Sequence, residues 1–230
     1  FIILDNIRES KEIMSNKDLI ATDLGDGIMN IEFRSKMNSI GGDVLNGINA
    51  AMDIAERDYD GVVISNTGDN FSVGADIGMI FMFAVEQEYE ELNSAIKYFQ
   101  DTMMRMRYSS IPTVAAPHQM ALGGGCELSM HADKVVAHAE TYIGLVEFGV
   151  GVIPGGGGTK ELTRRAAKTF QKDDVQVNRL RENFLNVGMA KVAKSAHEAF
   201  ELSLFEEGKD IVVVSRDRQL AIAKQHAQLM

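Results

Sequence analysis

Short, continuous runs of apolar residues alternate along this chain with segments of helical periodicity, and this alternation constrains the fold more than any other feature. Gly61-Val-Val-Ile-Ser65 and Pro112-Thr-Val-Ala-Ala116 have the length and β-branched content of strands that are buried on both faces of a sheet. Before the first of them, a helix is predicted over residues 43–57, because apolar residues recur there on one face: Val44, Leu45, Ile48, Met52 and Ala55. Strands that alternate with helices predict an α/β domain with a largely buried sheet.

The remaining segments fit the same class of fold. Residues 19–24 and 28–33 flank Gly25-Asp26-Gly27, which predicts a hairpin. A long helix is predicted over residues 89–106, and its apolar stripe is too short for a sustained coiled-coil seam, which favours packing on a core. Further strands are predicted over residues 133–138 and 211–215, and further helices after residue 122 and over residues 159–170 and 219–230.

Composition narrows the classes of function. The chain has 230 residues, 45% of them apolar, and a net charge of −10, which is a poor match for general nucleic-acid binding. Its single cysteine, Cys126, cannot form an internal disulfide or a paired-cysteine metal site, which predicts a reducing, cytoplasmic setting. The longest apolar stretch, residues 77–85, is about half the length of a membrane span, and no signal peptide is visible at the start.

Three segments are predicted along the chain. Residues 1–18 are polar and weakly periodic, and are interpreted as a leader or an interdomain linker. Residues 19–200 hold the alternating elements and form the predicted core domain, and residues 201–230 form a C-terminal region. The chain lacks an initiator Met and stops within a helical pattern, so we expect both ends to have been cut from a longer polypeptide, with the C-terminal region truncated.

Glycine is concentrated in three loops next to acidic residues, at residues 74–76, 123–127 and 154–159. Tight turns and close strand–helix packing are the structural alternative for any one of these loops. The chain lacks the Gly-Lys-Ser/Thr end of a phosphate loop, the third glycine of a dinucleotide fingerprint and the first glycine of a serine-hydrolase elbow. What remains is a site made of backbone N–H groups.

Two of these loops predict an oxyanion hole. The helix that opens at Gly123-Gly-Gly-Cys-Glu127 has unpaired N–H groups in its first turn, and Gly74-Ala75 would supply a second donor. Glu127 and Glu147 lie beside these glycines, and two carboxylates next to a hole that polarises a carbonyl suit acid–base work on the adjacent carbon. A capping or solvated surface carboxylate is the alternative for each glutamate alone.

Together these segments resemble the crotonase (enoyl-CoA hydratase/isomerase) superfamily, over most of the chain from residue 19 onward. The strongest stretches are Ile111-Pro-Thr-Val-Ala-Ala-Pro117, Ala121-Leu-Gly-Gly-Gly-Cys-Glu127 and Ile153-Pro-Gly-Gly-Gly-Gly-Thr159. Phe71-Ser-Val-Gly-Ala-Asp76 is similar to the other oxyanion loop of the family. The resemblance implies a fold of the α/β class, a crotonase-like (ClpP/crotonase) spiral of ββα units with a helical C-terminal region.

The resemblance also implies roles for the site residues. In it, the N–H groups of Ala75 and Gly124 hold the thioester oxygen. Glu127 positions and activates the water, and Glu147 exchanges the proton at C2. The residues expected to bind the acyl-CoA substrate are Lys36, Met37, Asn38, Gly74, Asp76, Ile77, Gly123, Pro154 and Gly155. Arg34 is a further candidate for the CoA phosphates, with solvated surface charge as the equal alternative.

A narrower resemblance rests on Ser35-Lys-Met-Asn38, Thr141-Tyr-Ile-Gly-Leu-Val-Glu147 and Gly157-Gly-Thr-Lys-Glu-Leu162. These segments are similar to the hydratase segment of bifunctional 3-hydroxyacyl-CoA dehydrogenases. This resemblance implies an N-terminal dehydrogenase domain outside the chain. It implies no cofactor for the chain itself, because CoA is part of the substrate and NAD would belong to the dehydrogenase. The superfamily also implies a homotrimer or hexamer.

The leading hypothesis is hydration of 2-enoyl-CoA thioesters to 3-hydroxyacyl-CoA, in fatty acid β-oxidation. Isomerisation of the enoyl-CoA double bond is the alternative within the enzyme class, because it needs one base and no bound water. A non-catalytic crotonase-fold segment, which serves oligomerisation or acts as a scaffold for a dehydrogenase, is the alternative from another class. The five histidines show no metal-ligand spacing, so no metal is expected, and Cys126 is interpreted as a small buried filler.

Overall fold

The computed structural model describes residues 1–175 and 177–230. Its strands are β1 (Glu12–Ser15), β2 (Leu19–Asp23), β3 (Ile28–Phe33), β4 (Gly61–Ile64), β5 (Thr113–Ala115), β6 (Gln119–Leu122), β7 (Lys134–His138), β8 (Thr141–Gly144), β9 (Val192–Ala193) and β10 (Ile211–Val213). Its helices are α1 (Leu4–Ile7), α2 (Gly42–Asp58), α3 (Ile77–Val85), α4 (Tyr89–Arg107), α5 (Gly124–His131), α6 (Gly158–Lys168), α7 (Val177–Gly188), α8 (Ala196–Glu201) and α9 (Arg216–Leu229). Two short 3₁₀ turns add to these, Lys36–Asn38 and Glu147–Val150.

The strands form two sheets. A seven-stranded sheet runs in the order β1-β2-β3-β4-β5-β7-β10, with antiparallel pairing from β1 to β3 and parallel pairing from β3 to β10. A three-stranded sheet has the order β6-β8-β9, in which β6 and β8 are parallel and β8 and β9 antiparallel. The predicted α/β class, the hairpin of β2 and β3, and the predicted helices α2, α6 and α9 are confirmed.

The large sheet separates two apolar cores. All four residues of β4 are buried, and its neighbouring residues Val62 and Val63 enter different cores because successive side chains of a strand point to opposite faces. Val62 lies with the apolar face of α2, while Val63 lies with Leu220 and Ala223 of α9. The continuous β-branched run in this part of the sequence therefore reflects a strand that is covered on both sides, as predicted.

The first eighteen residues carry more structure than the sequence predicted. Where no element was expected, α1 buries Leu4, and β1 pairs with β2 at the edge of the large sheet, with Glu12 opposite Thr22. The burial pattern of β1 is exposed at both ends and only half-buried between, which is why its sequence shows no clear alternation. These residues thus contain a short helix and an edge strand, while their role as a leader or interdomain linker stays a prediction, as do the domain boundaries.

The small sheet was not predicted, and it positions the glycine loops. Its strands β6 and β8 end side by side, at Leu122 and Gly144. The N–H of Gly123, directly after β6, donates a hydrogen bond of 2.9 Å to the carbonyl of Gly144. Glu147 follows three residues later, on the second 3₁₀ turn. The ends of two neighbouring strands thus bring residues 123–127 and Glu147 to one place.

Two helices behave differently from a core-facing helix. On α4, Phe99, Met103 and Met106 are buried as predicted, whereas Tyr89 in the first turn is 62% exposed. The helix α3 is almost entirely apolar, yet none of its residues is buried. In the part of the chain that the structure describes, no helix is both long and apolar enough to cross a membrane.

Candidate active site

Two glycine loops meet backbone against backbone at the end of β6. Gly74 has φ +95°, and a Cβ atom added there would lie 2.8 Å from the carbonyl oxygen of Leu122 and 2.9 Å from the backbone N of Gly124. Gly123 also has a positive φ, of +51°. Only glycine fits such a conformation and such a close approach without strain. The two loops can therefore approach this closely only because glycine has no side chain.

The contact places two backbone donors side by side. A Cβ atom added at Gly124 would lie 3.3 Å from the backbone N of Ala75, so the two N–H groups belong to one small region. Gly124 begins α5, where the first-turn N–H groups have no partner within the helix. Within residues 1–175 and 177–230, neither N–H donates to a protein acceptor. Two free, adjacent N–H groups are the geometry of an oxyanion hole.

Glu127 lies in the first turn of α5 and is 3% exposed. Its Oε1 accepts a hydrogen bond of 2.8 Å from the N–H of Gly158, the first residue of α6. Burial and the charge of Glu147 raise the pKa of Glu127 to about 8, and the N–H groups of residues 156–158 act in the opposite direction. The carboxyl thus sits in a dry site whose donors come from the start of a helix.

Glu147 faces the same region from the second 3₁₀ turn. A Cβ atom added at Gly123 would lie 3.1 Å from its Oε1, and its buried Oε2 has no partner among the described residues. Burial raises the pKa of Glu147 as well. Two carboxyls in one buried site resist double ionisation, so the pair retains a proton to higher pH than two exposed carboxyls would. The arrangement can both donate and accept a proton beside a polarised carbonyl.

Residues 36–38 lie against the first oxyanion loop. The N–H of Ile40 donates to the carbonyl of Gly74 at 2.8 Å, which ties the 3₁₀ turn to that loop. Asn38 is buried, and its side-chain amide donates to the carbonyl of Asn70 at 2.9 Å. Lys36 is exposed on the same turn. Lys36 is therefore free to meet a ligand, whereas the side-chain amide of Asn38 is already engaged, and a binding role for these residues stays a prediction.

The other predicted binding residues divide between two places. Asp76 caps α3, and its carboxylate accepts hydrogen bonds from the N–H groups of Gly78 and Met79 at 3.0 and 3.3 Å. Ile77 and Met37 are exposed near it, 52% and 54% respectively. The loop of Pro154 and Gly155 instead leads to the residues that bind Glu127, and Gln100 of α4 donates to the carbonyl of Gly155 at 2.6 Å. Arg34 lies apart, with a 3.4 Å contact to the carbonyl of Asn16.

A buried charged cluster behind the site was missed by the sequence analysis. Its centre is Glu161, whose side chain is fully buried and lies 2.7 Å from Arg107, 3.2 Å from Lys160 and 3.0 Å from Arg164. His131, at the end of α5, is also buried. The histidine was weighed only as a metal ligand, and its spacing of four residues from Glu127, one helical turn, was the available signal.

No metal centre is present in the part of the chain that the structure describes, where no three or more His, Cys, Asp or Glu side chains lie together. Cys126 is fully buried, as predicted for a filler. Burial, followed by the charges of Glu147 and Glu127, raises the pKa of its thiol, so the thiolate is disfavoured.

Comparisons with known proteins agree with this geometry. A model of the Enoyl-CoA hydratase/isomerase family matches residues 23–180. The "Probable 3-hydroxyacyl-CoA dehydrogenase" of Bacillus subtilis (strain 168) is 41% identical over 227 residues, which cover 98% of this chain and 28% of that protein. The "Putative fatty acid oxidation complex trifunctional enzyme" of Rickettsia felis is 32% identical over 162 residues, which cover 70% of this chain and 22% of that protein. The chain thus spans about a quarter of the length of these relatives.

Solved structures share the fold. The crystal structure of the enoyl-CoA hydratase from Bacillus anthracis superposes with a TM-score of 0.74 at 25% identity, covering 93% of this chain and 76% of that one. The likeness confirms the predicted crotonase-like α/β fold. Three observations agree on the family of this chain. Its glycine loops pair two backbone donors, its fold is shared with hydratases, and the family model matches residues 23–180. The chain belongs to the enoyl-CoA hydratase/isomerase (crotonase) family.

Proposed function

We propose that this chain hydrates 2-enoyl-CoA thioesters to 3-hydroxyacyl-CoA. One observation carries the proposal: the buried carboxyl of Glu127 and the half-buried carboxyl of Glu147 flank the free N–H groups of Ala75 and Gly124. Addition of water to a conjugated thioester needs a base for the water, an acid for the adjacent carbon and a donor for the carbonyl oxygen. The site holds a group for each task.

The reaction then follows in balanced steps. The thioester oxygen accepts hydrogen bonds from Ala75 and Gly124, which stabilise the negative charge that develops on it. The carboxylate of Glu127 takes a proton from water as the water oxygen bonds to C3, and the C2–C3 π electrons move toward the carbonyl. The carboxylic acid of Glu147 gives its proton to C2. Glu127 then holds the proton and Glu147 is ionised, and return of this proton to Glu147 prepares the pair for the next turnover.

The surroundings of the two carboxyls support this division of roles. Glu127 accepts the N–H of Gly158 at 2.8 Å, and a carboxylate that receives N–H donors is favoured in its ionised form. Burial raises the pKa of Glu147 and the backbone N–H groups of Val146 and Glu147 lower it, while its Oε2, which has no donor among the described residues, can carry a proton. With a pKa of about 8, Glu127 holds the proton of the resting pair at neutral pH, and hydration begins once this proton has passed to Glu147.

The longer relatives support a setting for this activity. We infer that the chain is the hydratase segment of a multidomain protein of fatty acid oxidation, because the relatives that it matches carry dehydrogenase and trifunctional names and are more than three times its length. NAD would then be held by another domain, and this chain would need no cofactor of its own. We propose a cytoplasmic setting and assembly into trimers or hexamers. The CoA nucleotide is proposed to lie along residues 36–38 and 75–77.

Turnover of crotonyl-CoA tests the proposal. We expect the wild-type chain to remove the absorbance of the conjugated thioester, and Glu127→Gln and Glu147→Gln each to lower kcat by about 10²–10⁴-fold, as expected for loss of a general acid or base. A folded wild-type chain that binds crotonyl-CoA without turnover would show the proposal to be wrong. An isomerase would instead move the double bond of a 3-enoyl-CoA and keep that activity in Glu127→Gln.

A further inference from the structure

Helix α6 is connected to Glu127 in two ways, once directly and once through His131. Its first residue, Gly158, donates an N–H to the carboxylate at 2.8 Å. The second connection starts from the backbone of Glu127, whose carbonyl lies 2.6 Å from Nδ1 of His131. Nε2 of the same ring lies 2.9 Å from Nζ of Lys160, in the first turn of α6. The imidazole thus links the peptide of Glu127 back to the helix that holds its carboxylate.

The direction of these hydrogen bonds is fixed by chemistry. The ammonium of Lys160 has donors only, so Nε2 of His131 accepts, and the ring proton on Nδ1 is donated to the carbonyl of Glu127. Burial lowers the pKa of His131 to about 4, which keeps the ring neutral near pH 7. The ammonium in turn lies 3.2 Å from the buried carboxylate of Glu161. One ion pair and two hydrogen bonds therefore connect Glu161, Lys160 and His131 to Glu127.

Helix α5 is also held in place by hydrogen bonds that do not involve His131 or Lys160. Arg107 and Arg165 both donate to the carbonyl of Met130 at the end of α5, at 2.6 and 3.1 Å. Buried ion pairs add little net stability when desolvation is counted, and their clearest benefit is a defined arrangement. Because His131 meets the peptide of Glu127 itself, its effect falls on the placement of that residue and of the N–H groups before it on the same short helix.

We propose that His131 and Lys160 are positioning residues, which fix the Glu127 carboxylate relative to the N–H of Gly124. The inference rests on the proposed function, in that these two groups act on the substrate. Neither positioning residue touches the thioester. When the link is cut, we expect kcat to fall while the KM for the thioester stays close to that of wild type, because a misplacement of about 1 Å can cost about 10²-fold in rate.

The experiment uses the full chain and two readouts. The first is kcat and KM with crotonyl-CoA. The second is the absorbance of bound 4-dimethylaminocinnamoyl-CoA, whose red shift measures how strongly the oxyanion hole polarises the thioester carbonyl. Lys160→Met removes the donor to the ring, and Lys160→Arg keeps one. His131→Asn retains a donor near Nδ1 but has no atom in place of Nε2. Lys168→Met is the matched control, since Lys168 lies on the same helix, is 57% exposed and pairs with Glu206.

We expect Lys160→Met and His131→Asn each to lower kcat by about 10–10²-fold and to shrink the red shift, with Lys160→Arg close to wild type. The double variant should cost no more than either single one, because both cut the same link. Equal kcat and red shift in Lys160→Met and Lys168→Met would overturn the proposal, as would full additivity in the double variant.

The experiment can contradict the proposed function and the positioning role independently of each other. A wild-type chain that shifts the probe but does not hydrate crotonyl-CoA contradicts hydration, while the variants still decide the positioning role through the red shift. A wild-type chain that binds the probe without any red shift has no working hole, which overturns both.

Discussion

Glu127 is a nearly fully buried carboxyl, and its environment links activity to stability. Its pKa in the folded chain is about 8, against an ordinary value of 4.5, because burial and Glu147 disfavour the charge. Between pH 4.5 and about pH 8, the folded state therefore binds more protons than the unfolded state does. The stability due to this group is therefore fully present below about pH 4.5 and is lost as pH rises toward 8. Glu147 contributes with the same sign.

The variant Glu127→Gln isolates this effect. It keeps the size of the side chain and an acceptor for the N–H of Gly158 but removes the titration. We expect the free energy of unfolding of the variant, minus that of wild type, to increase by more than about 1 kcal/mol between pH 5 and pH 8. Urea unfolding at the two pH values measures it, with the exposed Glu207→Gln as control. A difference that does not change with pH would contradict the burial argument.

Gly156 has no room for a side chain. A Cβ atom there would lie 2.5 Å from Cε1 of Phe99 and against Oε2 of Glu127. We expect Gly156→Ala to lower kcat by about 10²-fold through displacement of Glu127, and to cost about 1–3 kcal/mol of stability. Gly188→Ala is the control, because no atom lies within 4 Å of its added Cβ. Comparable kcat values for the two variants would show that Glu127 is not held as described.

Residue types were easier to predict from the sequence than their partners. The sequence marks Glu127 and Glu147 because each stands beside glycines, which is a local signal. It does not mark the buried Glu161, whose partner Arg107 lies far away in the chain and meets it only after α4 and α6 pack together. Contacts between distant helices have no local pattern, so the charged cluster could be found only in the structure.

Among the elements, α3 and α8 offer a matched pair of helix caps. Asp76 caps α3 through two backbone N–H groups, and Ser195 caps α8 through the N–H of Glu198 at 3.2 Å. The helices differ in burial, since α3 buries no residue whereas α8 buries Ala196 and Ala199. The same loss of a cap should therefore have different consequences in the two places.

We expect Asp76→Ala to speed amide hydrogen exchange over residues 77–85 and to leave Tm nearly unchanged, because α3 has no fully buried residue and only Met79, Ile80 and Phe83 are half-buried. Ser195→Ala should lower Tm, by an amount that corresponds to about 1 kcal/mol. Hydrogen exchange and thermal unfolding of both variants are the measurements. An equal fall of Tm in both would mean that α3 is part of the cooperative core.

Elements were predictable in proportion to their length and burial. The helix α2 and the strand β4 have long or continuous apolar patterns and were predicted close to their observed bounds. The strands of the small sheet have two to four residues each, and one of them directly follows a proline-containing turn. These residues are strands because they pair with neighbouring strands, and not because their residue types favour strands. A single sequence therefore gives little indication of them.

At the scale of the whole molecule, α9 closes the face of the large sheet opposite α2. Gln219 on this helix is fully buried, and its amide donates to the carbonyls of Pro117 and Val136 at 2.7 and 2.8 Å. We expect Gln219→Leu to lower the free energy of unfolding by about 1–3 kcal/mol, because buried carbonyls lose their donor. Urea unfolding measures it, with the exposed Gln228→Leu as control. Equal midpoints would show that the two carbonyls do not depend on Gln219.

The position of α9 also bears on how the chain is made. Lys224 near the end of α9 donates to the carbonyl of Leu24 at 2.7 Å, across 200 residues of sequence. At about 5–20 residues per second, a ribosome needs roughly 10–40 s to synthesise that interval. Within this interval, Val63 and Val114 are made before α9, so their face of the sheet lacks the cover that α9 gives it in the folded chain. Nascent chains of this protein therefore present this surface to holding chaperones until α9 has left the ribosome.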